Sequence, residues 1–220
     1  MNRQMLVFIK PDGFVRKAAG ARAMKELLST GIRIRHFSKV SPPREFFAEK
    51  HYVEHKGKFF YEWMLDMVTS SPILAMIVEG GEDVTSVVRN ALGSTIIEKA
   101  DPSSIRGKYG MFDGINVVHA SDSPESAERE VGLWKDILDS KEKEDYESLA
   151  REYIDTYSNF QMVDRKLYEE VKTAFQNGKI DIKTVGTELL DLLRKETDVD
   201  GETLKKFVDA VIGDLTLKRT

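Results

Sequence analysis

Four apolar segments of strand length constrain the fold of this chain more than any other feature. They span residues 5–9, 32–40, 73–80 and 115–120. Between them, apolar residues recur at helical spacing at 19–29, 44–55, 59–68 and 83–92. Strands and helices that alternate in this order belong to the α+β class and suit a ferredoxin-like fold. We therefore predict a four-stranded antiparallel sheet covered by helices on one face.

The sequence changes character after Trp134, where a helical part begins. Apolar residues there recur at three- and four-residue spacing in four segments, at 146–157, 167–175, 185–193 and 204–212. The pairs Asn177–Gly178 and Asp200–Gly201 mark turns between these segments. We predict an α+β domain over residues 1–138 and an all-α extension over residues 139–220, whose role the sequence does not indicate.

Composition and charge exclude several classes of function. The chain has 41% hydrophobic and 32% charged residues, as ordinary globular proteins do, and no apolar run approaches the ~18 residues of a membrane span. Residues 1–134 hold 18 of the 33 Lys and Arg and 17 of the 37 Asp and Glu, so residues 135–220 carry 15 basic and 20 acidic side chains. This acidic part argues against nucleic-acid binding. Because the chain has no cysteine and no signal-peptide pattern, we expect a cytoplasmic location.

One histidine lies where a strand ends and a helix begins, in the segment NVVHASDSPES at 116–126. Ser123 is suited to cap a helix that starts at Pro124, because proline's missing N–H is not needed there. Further along, Glu130 lies at the rim of the buried helix face, and the turn lets it reach back to His119. A carboxylate that holds one imidazole nitrogen leaves the other available as a nucleophile. This pattern alone leaves three alternatives for His119: a nucleophile, a buried packing residue or an exposed residue without a function.

Six segments resemble nucleoside diphosphate kinases in their order and approximate separation. They are IKPDG, HYVEHKGKFF, TSSPILAMIVEG, VVRNALGST, SIRGKYG and NVVHASDSPESAEREVGLW. The resemblance covers about residues 3–134, and its last segment is highly specific to the family. It implies an enzyme that moves the terminal phosphate of a nucleoside triphosphate to a nucleoside diphosphate, through a phosphohistidine at His119.

The resemblance also implies roles for the residues around this histidine. Those that correspond to the family's nucleotide contacts are the phosphate-side cations Lys10, Arg89 and Arg106, the phosphate-binding hydroxyl of Thr95, the base-stacking Phe60 and the sugar-contacting Asn116. Those that correspond to groups assisting the histidine are Glu130, Ser121, Tyr52 and Lys10. Mg²⁺ is expected to arrive on the nucleotide phosphates, with no metal ligand from the protein. Stacking on an aromatic ring reads no base edge, so broad base tolerance is expected.

Several positions depart from the family pattern. Ala120 follows the histidine where glycine is usual, so a positive φ there would strain the chain by ~1 kcal/mol or more. Lys108 stands where an aspartate is usual, and Ile115 where an arginine is usual. Both lie in residues 95–115, a stretch of weak periodicity that in relatives lines the site and packs between subunits. We expect a homo-oligomer, and these changes bear on its interface more than on the chemistry.

Other functions fit parts of the sequence. A nucleotide-sensing or scaffold protein would keep the kinase fold and dock a protein partner through the helical extension. A ferredoxin-like RNA-binding module is weaker, because its aromatic and basic strand signature is missing. His51 and His55 share a helix face at i, i+4, but without a third ligand they do not indicate a metal site.

Overall fold

The computed structural model describes residues 3–138 and 145–217, and its centre is a four-stranded sheet. The strands are β1 (Arg3–Ile9), β2 (Arg33–Val40), β3 (Ile73–Gly80) and β4 (Val118–Ala120). Their order across the sheet is β2-β3-β1-β4, and every neighbouring pair is antiparallel. The predicted four-stranded antiparallel, ferredoxin-like sheet is confirmed.

Seven helices occur within residues 3–138. They are α1 (Pro11–Val15), α2 (Lys17–Ser29), α3 (Arg44–Phe46), α4 (Tyr61–Val68), α5 (Val84–Leu92), α6 (Ile105–Tyr109) and α7 (Pro124–Trp134). Helical turns of π or 3₁₀ type lie at Phe47–His51, Val53–His55 and Ile97–Lys99. The helix predicted over 44–55 is therefore divided into α3, a π-helical turn and a 3₁₀ turn, and the predicted loop 95–115 contains α6.

Helices cover both faces of the sheet, so the predicted covering of one face is wrong. Met5, Val7 and Ile9 of β1 pack with α2 and α5, in a core on one side. Leu6 and Phe8 point to the other side and pack with α4 and α7. The sequence of β1 gives the physical reason. Every residue from Met5 to Ile9 is apolar and buried, so both faces of the strand need a covering layer.

Residues 145–217 form four helices, at the places that the apolar spacing predicts. They are α8 (Tyr146–Tyr157), α9 (Arg165–Gln176), α10 (Ile182–Leu193) and α11 (Gly201–Thr216). Each follows an aspartate whose side chain accepts a hydrogen bond from a backbone N–H of the first turn, which satisfies a donor that the helix leaves open. Among the residues that the structure describes, no helix has the length and apolar content needed to cross a membrane.

These helices share apolar cores with the first part of the chain. Helix α8 packs on β2 and α2, while α9, α10 and α11 pack around Phe112 and its neighbours in the segment 95–115. A buried ion pair also joins the two parts, with Arg16 Nε 3.1 Å from Glu196 Oε2. The domain boundary predicted between 138 and 139 borders residues 139–144, which lie outside the described residues, and it stays a prediction.

Candidate active site

A cavity of about 570 Å³ opens beside β4. Nine of the ten residues that the sequence singled out line it: Lys10, Tyr52, Phe60, Arg89, Thr95, Arg106, Asn116, His119 and Glu130. The tenth, Ser121, lies behind the wall and donates a hydrogen bond of 2.8 Å to the carboxylate of Glu130. Side chains from distant parts of the sequence therefore meet around one space.

His119 lies on β4 opposite Phe8 of β1. The two rings stack, with centroids 4.5 Å apart and planes 17° from parallel, so Phe8 supports the imidazole from one side. Nε2 of His119 lies 3.1 Å from Oε2 of Glu130. Because a carboxylate only accepts hydrogen bonds, we assign the proton to Nε2, which leaves the lone pair on Nδ1. The side chain is 16% exposed and lines the cavity, so a substrate can reach it.

Glu130 is buried in α7 and is held as an anion. Ser121 Oγ donates to its Oε2 over 2.8 Å, and Arg129 Nη2 donates to its Oε1 over 3.3 Å. Burial opposes the charge, but the hydrogen bonds from His119 and Ser121 outweigh it and lower the pKa of Glu130 to about 2. The carboxylate is therefore ionised near neutral pH and fixes the tautomer of the imidazole.

The turn from β4 into α7 brings Glu130 back to the histidine. Ser123 Oγ accepts from Ser126 N over 3.1 Å and Ser126 Oγ accepts from Ser123 N over 2.8 Å, which is a capping box. Pro124 occupies the first helical turn, as the sequence predicts. The other residues that α7 buries are Ala127, Val131 and Trp134.

The strain considered for Ala120 does not arise, and the strained residue is Val117. Ala120 belongs to β4 and has no positive φ, so alanine fits there. Val117 has φ 69°, which is rare for a β-branched residue. Val118 N donates to Asn116 O over 2.8 Å, and this bond closes a γ-turn around Val117. The turn shortens β4 relative to the predicted strand 115–120.

Asp12 holds this turn, and the sequence reasoning missed it. Its Oδ2 accepts a hydrogen bond of 2.7 Å from Val117 N, while Lys10 N donates to Val117 O over 2.8 Å. The side chain is fully buried, and Asp12 is the third residue after β1. The sequence did contain a signal for the role of Asp12: it is an acidic residue in an otherwise apolar first turn after a strand.

Lys10 lies between the cavity wall and the γ-turn. Its Nζ donates to Gly114 O and to Asn116 Oδ1, both over 3.0 Å. Removal of water from around the ammonium lowers the pKa of Lys10 to about 8; the charge of Asp12 opposes this shift and the charge of Arg106 adds to it. An anion in the cavity would favour the charged form of this side chain.

Two arginines provide the remaining positive charge. Arg106 is buried and donates to Thr95 Oγ1 over 3.3 Å and to Val118 O over 2.9 Å. Burial and, to a smaller extent, the charge of Arg89 lower the pKa of Arg106 to about 10. Arg89 pairs with the exposed Asp122, Nη1 to Oδ1 over 2.6 Å. A surface pair of this kind is weak, so Arg89 can exchange its partner for a phosphate.

The tyrosine and phenylalanines lie at different depths. Tyr52 is buried with its ring centroid 6.0 Å from that of His119, and burial raises its pKa, so the hydroxyl stays protonated. Phe59 and Phe60 both line the cavity, and Phe59 is 58% exposed. Tyr61 is buried instead and donates to a backbone carbonyl. Two rings are therefore available for stacking a base.

The two histidines considered as a metal pair are separated by the break between their helical turns. His51 is buried, accepts a hydrogen bond of 3.2 Å from Trp134 Nε1, and lies with its ring centroid 4.8 Å from that of His119. Burial lowers the pKa of His51 well below its usual value, so its ring is neutral. His55 lies at the cavity mouth and accepts from Lys58 Nζ over 2.8 Å.

Within the described residues, one group brings possible metal ligands together. The ligand atoms of His51, His119 and Glu130 lie within 4.8 Å of one another. The group offers a single carboxylate, whereas Mg²⁺ prefers octahedral oxygen ligands. These residues therefore do not fit Mg²⁺.

The last helix also reaches the cavity, which the sequence did not predict. Asp214 and Leu217 line it beside Trp63 of α4. Trp63 Nε1 donates to Ala210 O of α11 over 2.9 Å. No local pattern indicates this arrangement, because it depends on how the extension packs on the first part of the chain.

Comparison with known sequences finds similarity over the first part of the chain. A sequence model of the family described as nucleoside diphosphate kinase matches residues 3–137. The nucleoside diphosphate kinase of Staphylococcus epidermidis is 43% identical over 150 residues, which are 66% of this chain and 98% of the relative. That of Corynebacterium jeikeium is 41% identical over 134 residues, 61% of this chain and 97% of the relative.

Solved structures show the same extent of similarity. The nucleoside diphosphate kinase of Halobacterium salinarum, solved in complex with CDP, matches with a TM-score of 0.58 and 31% identity over 68% of this chain and 99% of its own. That of Aquifex aeolicus matches with a TM-score of 0.56 and 31% identity over 63% of this chain and 100% of its own. The family model ends at residue 137, so the helical extension, residues 139–220, lies outside it.

Proposed function

The chain belongs to the nucleoside diphosphate kinase family, and we propose that it transfers the terminal phosphate between nucleotides through a phosphohistidine at His119. One observation carries the choice of this residue. The ring of His119, with Nε2 held by Glu130, lines the same cavity as three cationic side chains. The scaffold alternative is not favoured, because this constellation is complete.

The tautomer assigned above gives the direction of the chemistry. In the first half-reaction the Nδ1 lone pair of His119 attacks the terminal phosphorus, the N–P bond forms and the bond to the bridging oxygen breaks. The nucleoside diphosphate leaves with that electron pair. The ring gains positive charge, which the carboxylate of Glu130 stabilises. In the second half-reaction an oxygen of another diphosphate attacks the phosphorus, and the lone pair returns to Nδ1.

The cations neutralise the phosphate oxygens during both steps. Burial destabilises the charged forms of Lys10 and Arg106, which lowers their pKa values. A phosphate anion therefore stabilises these two cations more than it would stabilise an exposed cation. Thr95 Oγ1 accepts from Arg106, which leaves its own hydrogen available for a phosphate oxygen. Positioning and charge neutralisation of this kind are the main requirements of phosphoryl transfer.

The remaining contacts follow from the cavity walls. Phe60 offers a ring on which a base stacks, and Asn116 together with Lys10 offers polar groups for the sugar hydroxyls. Mg²⁺ would be bound by the nucleotide phosphates and would neutralise their charge, since the described histidine and carboxylate group does not suit it. A homo-oligomer, a cytoplasmic location and a protein partner for the extension stay predictions.

The residue assignment is tested by labelling the full-length protein with γ-labelled ATP. We expect acid-labile, alkali-stable label, as for a phosphohistidine, and its complete loss in His119→Ala. His55→Ala is the matched control, because this second cavity histidine pairs with Lys58 and should leave the label in place. Label that persists in His119→Ala would overturn the assignment.

A further inference from the structure

The end of α11 closes one side of the nucleotide cavity. Asp214, in the last helical turn, is 2% exposed and lines the cavity together with Leu217. The helix is held against Trp63, whose Nε1 donates to Ala210 O over 2.9 Å. At Gly213 a Cβ would lie 3.2 Å from Cδ1 of the same indole, so the helix backbone approaches the ring closely. This contact at Gly213 therefore fixes the position of the next residue, Asp214.

The part of the cavity wall that α11 forms contributes negative groups. They are the carboxylate of Asp214 and the C-terminal carbonyls of α11, which carry partial negative charge. In the proposed function the phosphates bind to other parts of the wall, at Arg89, Arg106 and Thr95. Negative groups repel a phosphate and accept hydrogen bonds. The wall at α11 therefore suits a hydrogen-bond donor of the ligand.

Trp63 connects this part of the wall to Lys10. Its indole would lie 3.2 Å from a Cβ at Gly213 and 3.5 Å from a Cβ at Gly114, and Gly114 O accepts a hydrogen bond from Lys10 Nζ. The same Nζ donates to Asn116 Oδ1. Asp214, which follows Gly213, therefore lines the cavity on the side of Lys10 and Asn116. In agreement, burial lowers the pKa of Lys10 and the charge of Asp214 is one of those that raise it.

A nucleotide whose phosphates point to His119 presents its sugar hydroxyls to this pair, and these are hydrogen-bond donors. Carboxylates are known to recognise ribose through the 2′-hydroxyl. We propose that Asp214 accepts a hydrogen bond from the ribose 2′-hydroxyl, so that the extension makes the enzyme prefer ribonucleotides to 2′-deoxyribonucleotides. This inference rests on the proposed function, and it concerns specificity and not the phosphoryl transfer itself.

The test uses the full-length enzyme, phosphorylated on its histidine and then mixed with ADP, 2′-dADP, GDP or 2′-dGDP. The readout is the ratio of kcat/KM between each ribonucleotide and its deoxy partner, which does not depend on the fraction of active protein. A hydrogen bond to a charged group predicts a wild-type ratio of about tenfold or more. Asp214→Ala should bring the ratio to within about twofold of one, and Asp214→Asn should lower it in part.

The matched control is Asp209→Asn, which removes an acid from the exposed face of the same helix and should keep the wild-type ratio. A wild-type ratio near one, or a ratio unchanged in both Asp214 variants, overturns the inference. So does an equal rise of kcat/KM for both sugars, which would show that Asp214 competes with the nucleotide for Lys10. A changed preference among bases with an unchanged sugar ratio also contradicts it. Failure of the wild-type enzyme to label His119 would instead refute the proposed function.

Discussion

Replacing Glu130 with glutamine tests how far phosphorylation of His119 depends on the charge behind the ring. The substitution keeps the side-chain volume and one acceptor oxygen but removes the negative charge. A hydrogen bond to a charged group contributes about 1.5–3 kcal/mol and a neutral one about 1 kcal/mol, so the charge accounts for about 0.5–2 kcal/mol. The lowered pKa of Glu130, about 2, shows that the site holds the ionised form. As the ring becomes positive, this difference slows histidine phosphorylation by about 2- to 30-fold.

The rate is measured by rapid-quench mixing with γ-labelled ATP under single-turnover conditions. Glu128→Gln is the matched control, because this residue lies on the exposed face of α7 and its loss should change the rate by less than about twofold. A Glu130→Gln rate within the same twofold would refute the reasoning, since the carboxylate would then only orient the ring. A loss far above a thousandfold would also refute it, because about 2 kcal/mol cannot account for it.

Two further predictions concern charge and stability. The pKa of Lys10, lowered to about 8, predicts that affinity for ADP falls as pH rises through 8, by at most about tenfold per pH unit, because the anion favours the protonated amine. Calorimetric titration measures this; Lys10→Arg should flatten the profile, and a flat wild-type profile would contradict the prediction. Glu196→Gln breaks the buried pair with Arg16 and should lower the free energy of unfolding in urea by about 3–5 kcal/mol, whereas the exposed Glu188→Gln should change it by less than about 0.5 kcal/mol. A loss below about 1 kcal/mol in Glu196→Gln would show that the pair does not join the two parts.

The sequence could predict those features whose signals are local. The segment around His119 contains its own helix start, since Ser123 and Pro124 specify the first turn of α7 and thereby the reach of Glu130. The four helices of the extension follow from apolar spacing and from the aspartate that precedes each one. Periodicity and capping act within a few residues, so they can be read without knowledge of the fold.

Features that depend on contacts between distant residues could not be predicted. An apolar run such as β1 is consistent with burial on one or both faces, and only the packing of α4 and α7 decides. The backbone of Val117 goes against the intrinsic preference of valine for strands, because Asp12 holds it from far away in the sequence. Asp214 reaches the cavity only through the position of a whole helix.

Packing explains two departures of the segment 95–115 from the family pattern, the first through the extension and the second through α2. Ile115 is fully buried among apolar side chains of α9, α10 and α11, an environment that would leave the arginine usual at this position without water or a partner. Lys108 pairs with Glu26 over 2.8 Å, a contact that the usual aspartate would turn into repulsion.

The same segment is held by charge as well as by packing. Lys172 of α9 lies 2.7 Å from Asp113 Oδ2 and 2.9 Å from Glu98 Oε1, and it thereby secures Asp113, which has φ 51° and lines the cavity. Thr95, Arg106 and Asn116 belong to this segment or flank it, so the geometry of the proposed phosphate and sugar contacts depends on the extension. The helical part is therefore a structural component of the candidate active site.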